Sequence, residues 1–349
     1  MVSVGGERAV TSLLEKTLLR RLEDFRLRRL LIVLDRDGTL VPICANSKDA
    51  QMSANMRRLL SALAGLADVQ LCILSARSYI SLLSDDLAAT TVLAGNCGLE
   101  IRFSNSLSLF GAALRYLPLI LQCRDQIESG LLQDHELELD QLQLDDHIFS
   151  LCLHFHRASD AVRRTAETLI FELEKTYPAL SFSRLDTSFE IGPKIGWSKY
   201  WGLWHLAARL GALSESAARS AEQELEQIEF YGGIDPTGYV ELLEHLSEKR
   251  SEQAGDSSAF FTNRSEGASG ALPVLSDAVD LIYLGDSAND EPAFRFVNEN
   301  GGLSIKVDNE LDEKFYKHSA TAMDTAAKFR IAGIAHVEEL LSILLSLRI

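Results

Sequence analysis

Positive charge is what this sequence lacks. Across 349 residues, 34 lysines and arginines stand against 50 aspartates and glutamates, a formal net charge of −16. A dedicated nucleic-acid binder needs a basic face to neutralise phosphates, so that class is excluded. A small anionic substrate is not, because a few local cations can reverse the field inside a cleft. Cysteine is sparse too. Cys44, Cys72, Cys97, Cys123 and Cys152 are odd in number and none are close-spaced, which leaves neither a disulfide framework nor a zinc site. Reduced, partly buried thiols are expected. No apolar run approaches a membrane span, and charges precede any long apolar stretch near the start, unlike a secretory signal. No internal repeat is present. A soluble, cytoplasmic protein with no nucleic-acid and no membrane partner is expected.

What is present is an ordinary globular composition, 46% hydrophobic and 24% charged. The length suits two domains, or one domain with large insertions. Val10, Leu13, Leu14, Leu18, Leu22 and Phe25 recur at helical spacing and predict an N-terminal helix within residues 1–28. Residues 30–34 are apolar on both faces, as in a parallel strand covered by helices. A helical stripe from Met56 to Leu66 follows, then "VQLCIL" and "TTVLAG" as further strands. This alternation predicts a doubly wound α/β core with a parallel sheet. After about residue 103 the rhythm changes. "HIFSLCLHFHRA" alternates like a half-covered strand, residues 160–175 look helical, and "LSFSRL" and "SFEIGP" read as two more strands. We therefore expect an inserted α+β module at 104–196, with the core formed by 29–103 and 197–349. "WSKYWGLWHLAARLG" returns to helix, "AVDLIYLGDSANDEPAF" to strand and helix, "GGLSIKV" to strand, and "HVEELLSILLSL" to a last helix. Within the core, an insertion spans about 212–276: two helical patterns around "YGGIDPTGY", then a Ser/Gly/Glu/Ala-rich stretch with the composition of a loop.

The run "LLIVLDRDGTLVPI" stops abruptly at Asp35 and Asp37. In open parallel sheets, ligands bind beyond the carboxyl ends of the strands. Ser75 in "CILSARS" and Asp286 in "IYLGDSAND" fall at two further strand ends, so three strands deliver polar groups to one sheet edge. A carboxylate there can attack phosphorus and form an aspartyl-phosphate. A hard Mg²⁺ ion with carboxylate, carbonyl and water ligands offsets the charge of both anions. A second carboxylate two residues on can serve as acid and then base, and a serine and a lysine can bind the phosphoryl oxygens.

These residues resemble a family. "DRDGTL", "LSARS" and "GDSAND" are similar to motifs I, II and IV of the haloacid dehalogenase superfamily of phosphatases, and Lys199 in "GPKIGWSKYWGLWHL" matches the motif III lysine, with Lys194 as the alternative. The inserted module between motifs II and III is the C2-cap arrangement. The blocks "DGTLVPI", "AGNCGLEI", "SLCLHFHRA" and "EIGPKIGWSKYWGL" resemble, in order, those of trehalose-6-phosphate phosphatases, over roughly 30–205 and 279–307. The resemblance implies that Asp35 is the nucleophile and Asp37 the general acid/base. It implies that Asp35, the carbonyl of Asp37, and Asp286 hold Mg²⁺, and that Ser75 and Lys199 bind phosphate. Asp290, Gly38 and Thr39 would support the site. Arg77, Asn96, Glu190, Lys194 and His154 would face the substrate.

Several positions depart from the family pattern. Motif IV carries Ser287 and Asn289, Cys97 stands where His is frequent, Tyr200 follows the lysine in place of glycine, and Gly192 occupies the arginine position of Glu-x-Arg-Pro. The last change removes a planar multi-donor clamp, and it bears on the sugar rather than on the chemistry. The expected substrate is trehalose 6-phosphate, with glucosylglycerol-phosphate or another compatible-solute intermediate as the alternative. A weakly catalytic regulatory partner of a glycosyltransferase is the reading from another class, with the 212–276 insertion as a flap or docking surface for that synthase. Trp197, Trp201 and Trp204 are expected to pack rather than stack on sugar. Cys97 is not expected to act as a nucleophile.

Overall fold

The computed structural model describes residues 14–44, 49–104, 106–131, 141–185, 188–219, 230–234, 274–309 and 324–349. Val10, Leu13, most of the helical patterns expected in 213–248 and nearly all of the Ser/Gly-rich stretch lie outside these residues.

The core is built on one long sheet. Its parallel part runs, in spatial order, β3 (Val92–Gly95), β2 (Val69–Leu74), β1 (Arg29–Leu34), β11 (Val279–Gly285), β12 (Leu303–Asp308) and β13 (Phe329–Ala332). The alternation of side chains in β1 explains why the run is apolar throughout. Leu30, Ile32 and Leu34 pack with Leu18 and Leu22 of α1 (Lys16–Asp24), Met56, Leu59, Leu60 and Leu63 of α2 (Ala54–Ala64), and Leu340, Leu341 and Leu344 of α9 (Gly333–Arg348). Leu31 and Val33 point the other way, into a second cluster with Leu203 and Leu206 of α7 (Lys199–Arg209) and Phe294 and Phe296 of α8 (Glu291–Glu299). Helices cover both faces, as the doubly wound expectation requires. Local signals place the helix starts. Ser53 caps α2 by accepting from the amide of Met56 at 2.9 Å, satisfying one of the first-turn donors.

The sheet continues antiparallel through β4 (Glu100–Phe103), β5 (Ser106–Phe110) and, at its edge, the backbone of β10 (Phe230–Ile234). Two sequence expectations change here. The boundary expected at residue 104 falls inside the β4–β5 hairpin, whose second strand belongs to the large sheet. "YGGI", expected to sit between two helices, is a strand.

The inserted module is a four-stranded antiparallel sheet in the order β6 (Gln143–Asp146), β7 (Leu151–His154), β9 (Ser188–Pro193), β8 (Leu180–Arg184). α5 (Leu117–Leu131) and α6 (Asp160–Thr176) cover one face, where Leu151, Leu153, Phe189 and Ile191 bury against Ile120, Ile127, Val162 and Ile170. The strand expected over 147–158 is in fact only β7. A turn at 147–150, with Ile148 at φ 76°, precedes it, and the chain turns again where Ala158 N–H donates to the Phe155 carbonyl at 3.0 Å.

Candidate active site

The ends of β1, β2, β3 and β11, the start of α7 and the open face of the module's sheet enclose a cavity of about 560 Å³, within the usual range of about 300–1,000 Å³ for ligand pockets. Asp35, Asp37, Ser75, Arg77, Lys199 and Asp286 line its floor.

Asp35 follows β1 and Asp286 follows β11, its parallel neighbour, so the two carboxylates emerge side by side. Gly38 makes this approach feasible. Its φ is +77°, and a Cβ there would lie 2.0 Å from Oδ2 of Asp286. Lys199, the first residue of α7, is buried and donates to Oδ1 of Asp35 at 2.7 Å and to Oδ1 of Asp290 at 2.6 Å. Asp290 also accepts from the Tyr283 hydroxyl at 2.6 Å, from the amides of Asp286 and Ser287 at 2.9 and 2.8 Å, and from the Ser287 hydroxyl at 3.1 Å. These bonds use the acceptor capacity of the carboxylate, so Asp290 holds Lys199 and the loop rather than a ligand.

The electrostatics follow from burial. Burial raises Asp35 to about 7, with Asp290 and Asp37 adding to the rise and Lys199 opposing it. Burial, then Asp35 and Asp290, raise Asp286 well above the carboxylate range. Lys199 is opposed by burial, but Asp290 and Asp35 outweigh that and hold it protonated. Asp35, Asp286 and Asp290 have carboxylate oxygens within 4.8 Å of one another. With Asp290 committed elsewhere, Asp35 and Asp286 are the carboxylates with capacity for a cation. Crowded anionic oxygens in a dry site suit a hard divalent ion such as Mg²⁺. Lys306 and Asn309 steady this corner through the Asp286 carbonyl at 2.5 Å and Oδ2 at 2.9 Å.

Asp37 is held by two guanidinium groups. Arg77 donates to Oδ2 at 2.6 Å and to Oδ1 at 2.9 Å, and Arg36 donates to Oδ1 at 2.9 Å. Ser75 is buried at the cavity floor, and its hydroxyl accepts from the Arg77 amide at 3.2 Å. Thr39 is fully buried behind the loop.

The module supplies the opposite wall. Cross-strand register puts Asp145, Cys152, Glu190 and Ser183 in one row, and all four line the cavity. His154 pairs with Asp145 at 3.3 Å. Burial opposes its charge, but the bond to Asp145 prevails and raises it to about 10. Glu190 accepts from Asn289 at 2.9 Å, joining this wall to the loop that carries Asp286.

Not every expected residue faces the cavity freely. Asn96 lines it, but its amide donates to Glu100 and to the His147 carbonyl at 2.8 Å and accepts from Ser150 at 2.9 Å, so it supports the turn beneath the module. Lys194 corrects the expectation. It is exposed and absent from the lining, because its backbone caps the β8–β9 end by donating to Ala179 at 3.1 Å. Of the two candidates, Lys199 is the buried one that lines the cavity. Tyr200, where the family pattern has glycine, turns away and donates to Glu299 at 2.8 Å. Burial raises the Cys97 thiol to about 12, in keeping with its exclusion as a nucleophile. Arg36, Asp85, Tyr283, Asp145 and Asn309 were not foreseen. Only Tyr283, a polar group inside an apolar strand two residues before Gly285, left a local signal.

Comparison with known proteins agrees with this geometry. Two curated plant relatives are a probable trehalose-phosphate phosphatase 2 of Oryza sativa subsp. japonica and a probable trehalose-phosphate phosphatase J of Arabidopsis thaliana. The first is 25% identical over 205 residues, covering 53% of this chain and 52% of the relative. The second is 27% identical over 206 residues, covering 55% and 53%. The chain thus spans about half the length of the curated relatives it matches. The structure of the C. albicans trehalose-6-phosphate phosphatase C-terminal domain superposes with a TM-score of 0.61 at 17% identity, over 97% of this chain and 99% of that one, a likeness of fold. The model of the trehalose-phosphatase family matches residues 33–212, slightly more than half of the 349. With a parallel core, a module inserted before α7, and Asp35, Ser75 and Lys199 converging at one edge, the chain belongs to the trehalose-phosphatase family.

Proposed function

We propose that the protein hydrolyses the phosphate monoester of a sugar, with trehalose 6-phosphate as the substrate best supported and glucosylglycerol-phosphate as the alternative. The carrying observation is Lys199, buried between Asp35 and Asp290 at the floor of a cavity whose other wall is hydroxyl, imidazole and carboxylate. A single phosphate would not need about 560 Å³ or that second wall.

In this reading a carboxylate oxygen of Asp35 attacks phosphorus as the bond to the sugar oxygen breaks, and Asp37 delivers its proton to that oxygen. Asp37 then takes a proton from water as the water attacks the phosphoryl group on Asp35. Phosphate leaves and the Asp35 carboxylate is restored. Lys199 and Ser75 hold the phosphoryl oxygens throughout. Asp35, Asp286 and the Asp37 carbonyl would hold Mg²⁺, which supplies charge neutralisation to the transferring group. Residues 29–110 and 197–349 carry the chemistry. The inserted module excludes water and reads the sugar through Glu190, His154 and their neighbours.

Phosphate release from trehalose 6-phosphate, glucosylglycerol-phosphate, sucrose 6-phosphate and mannosyl-3-phosphoglycerate tests the proposal, with Mg²⁺ and then with EDTA. Metal-dependent release that Asp35→Asn abolishes in a folded protein is expected. An active, folded Asp35→Asn variant would falsify the assignment. Silence across the panel would favour a regulatory partner of a glycosyltransferase, a role that does not require the full acidic set to be intact.

A further inference from the structure

Between the two aspartates of the first motif stands Arg36, 3% exposed and not part of the cavity lining. Its Nε and Nη2 donate to the two carboxylate oxygens of Asp85 at 2.7 and 2.8 Å, a bidentate pair 49 residues apart in sequence. Asp85 is itself only 4% exposed. Nη2 also donates to the Ala50 carbonyl at 3.0 Å, and Nη1 is left to donate to Oδ1 of Asp37 at 2.9 Å. All three nitrogens of the guanidinium are therefore used, and its plane is fixed by a buried partner.

The two guanidinium groups on Asp37 differ in one respect. Arg77 lines the cavity, where an entering phosphate ester would compete for its donors. Arg36 does not line it, and its partners Asp85 and Ala50 lie in other segments. Were a substrate to draw Arg77 off, the Arg36 contact would still hold Asp37.

We propose that Asp85 and Arg36 form a positioning relay for Asp37, holding its carboxyl where it meets the leaving oxygen of a substrate. The proposal rests on the phosphatase reading above, in which Asp37 is the acid. Arg36 and Asp85 are positioning residues and touch no reacting atom. Their effect appears where the acid is needed: a sugar alkoxide leaves only with a proton, whereas p-nitrophenolate leaves without one.

The test compares kcat and KM on trehalose 6-phosphate and on p-nitrophenyl phosphate. Removing one partner of a buried ion pair strands the other and endangers the fold, while replacing both by apolar residues is often tolerated. The informative protein is the paired Arg36→Met, Asp85→Leu variant, with Asp85→Asn as the conservative second. The expected result is a kcat on the sugar phosphate lowered about tenfold or more, KM within about twofold of wild type, and a clearly smaller loss of kcat on p-nitrophenyl phosphate. Equal losses on both substrates, or a raised KM with unchanged kcat, would overturn the relay and leave the phosphatase reading standing. Wild-type protein inert on p-nitrophenyl phosphate and on every sugar phosphate of the panel above would overturn both.

Discussion

The ammonium of Lys199 lies 2.6 Å from Oδ1 of Asp290, a carboxylate with no exposed surface. Asp290 is not among the residues that line the cavity. It neutralises Lys199 and ties the loop after β11 to the start of α7. Replacing Asp290 with Asn leaves Lys199 with one carboxylate partner instead of two and weakens the hold on the Asp286 and Ser287 amides. The expected cost is about 3–5 kcal/mol of stability, read by urea unfolding. Turnover should fall together with Mg²⁺ affinity, because the loop carrying Asp286 loosens. An unchanged unfolding midpoint would show that the pair carries no net stabilisation.

α7 meets the turn after β3 backbone to backbone. A Cβ on Gly202 would lie 2.2 Å from the Cys97 carbonyl oxygen. Neither partner is the flexible end of a side chain. Gly202→Ala should therefore destabilise by at least about 1–3 kcal/mol and displace Asn96 and Cys97 along with the N-terminus of α7. A drop in thermal midpoint with lowered activity is the expected reading. A neutral substitution would mean that α7 can slide without disturbing Lys199.

Asn289 donates directly to Glu190, a side-chain bond between the acidic loop and the module's sheet. Asn289→Ala removes a charge-assisted bond of about 1.5–3 kcal/mol without touching Asp286 or Lys199. KM for the sugar phosphate should rise several-fold while kcat for p-nitrophenyl phosphate stays near wild type. Equal changes in both would place Asn289 in the chemistry instead of in closure.

His205 is buried in α7 and titrates low, near 3, because burial and the charge of Arg209 oppose protonation, with a weaker opposite contribution from a Gly98 backbone hydrogen bond. Unfolded, the imidazole takes its proton near its ordinary value of 6.5. The unfolded state therefore binds more protons between these limits, so stability falls as pH drops from about 6.5 toward 3. The loss attributable to this residue is on the order of a few kcal/mol. His205→Gln, which keeps a hydrogen-bonding side chain but does not titrate in this window, should flatten the acid limb of a pH series of unfolding midpoints. An identical acid limb in the variant would assign that instability to other groups, His147, whose pKa burial also lowers, and the carboxylates among them.

The floor of the cavity was legible because its residues are tied to local signals. Asp35, Ser75 and Asp286 each end an apolar strand, and the periodicity of β1, apolar on both faces, places them at one edge before any contact is known. Lys199 follows a Ser198 cap that begins α7. What escaped depends on distant pairing. The β4–β5 hairpin is broken by Glu100, Arg102 and several serines, so its apolar pattern is weak, and its place in the sheet comes from ladder bonds to β3 and β10. The row from Asp145 to Ser183 exists only once four strands are in register. The pairing of Arg36 joins residues 49 apart in sequence, so no local signal announces it.

The chain passes between core and module twice, after Phe110 and before Ser198. At these crossings Phe110 and Trp197 lie with ring centroids 4.6 Å apart, and the Trp197 indole N–H donates to the Cys97 carbonyl at 2.9 Å. Two tethers this close act mechanically as one pivot. A turn about that pivot would carry the module's far wall, with Glu190 and His154, through a longer arc than the rings themselves. Asp35, Ser75 and Lys199 all stand on the core side of that pivot, so such a turn would change the width of the opening without moving them relative to one another.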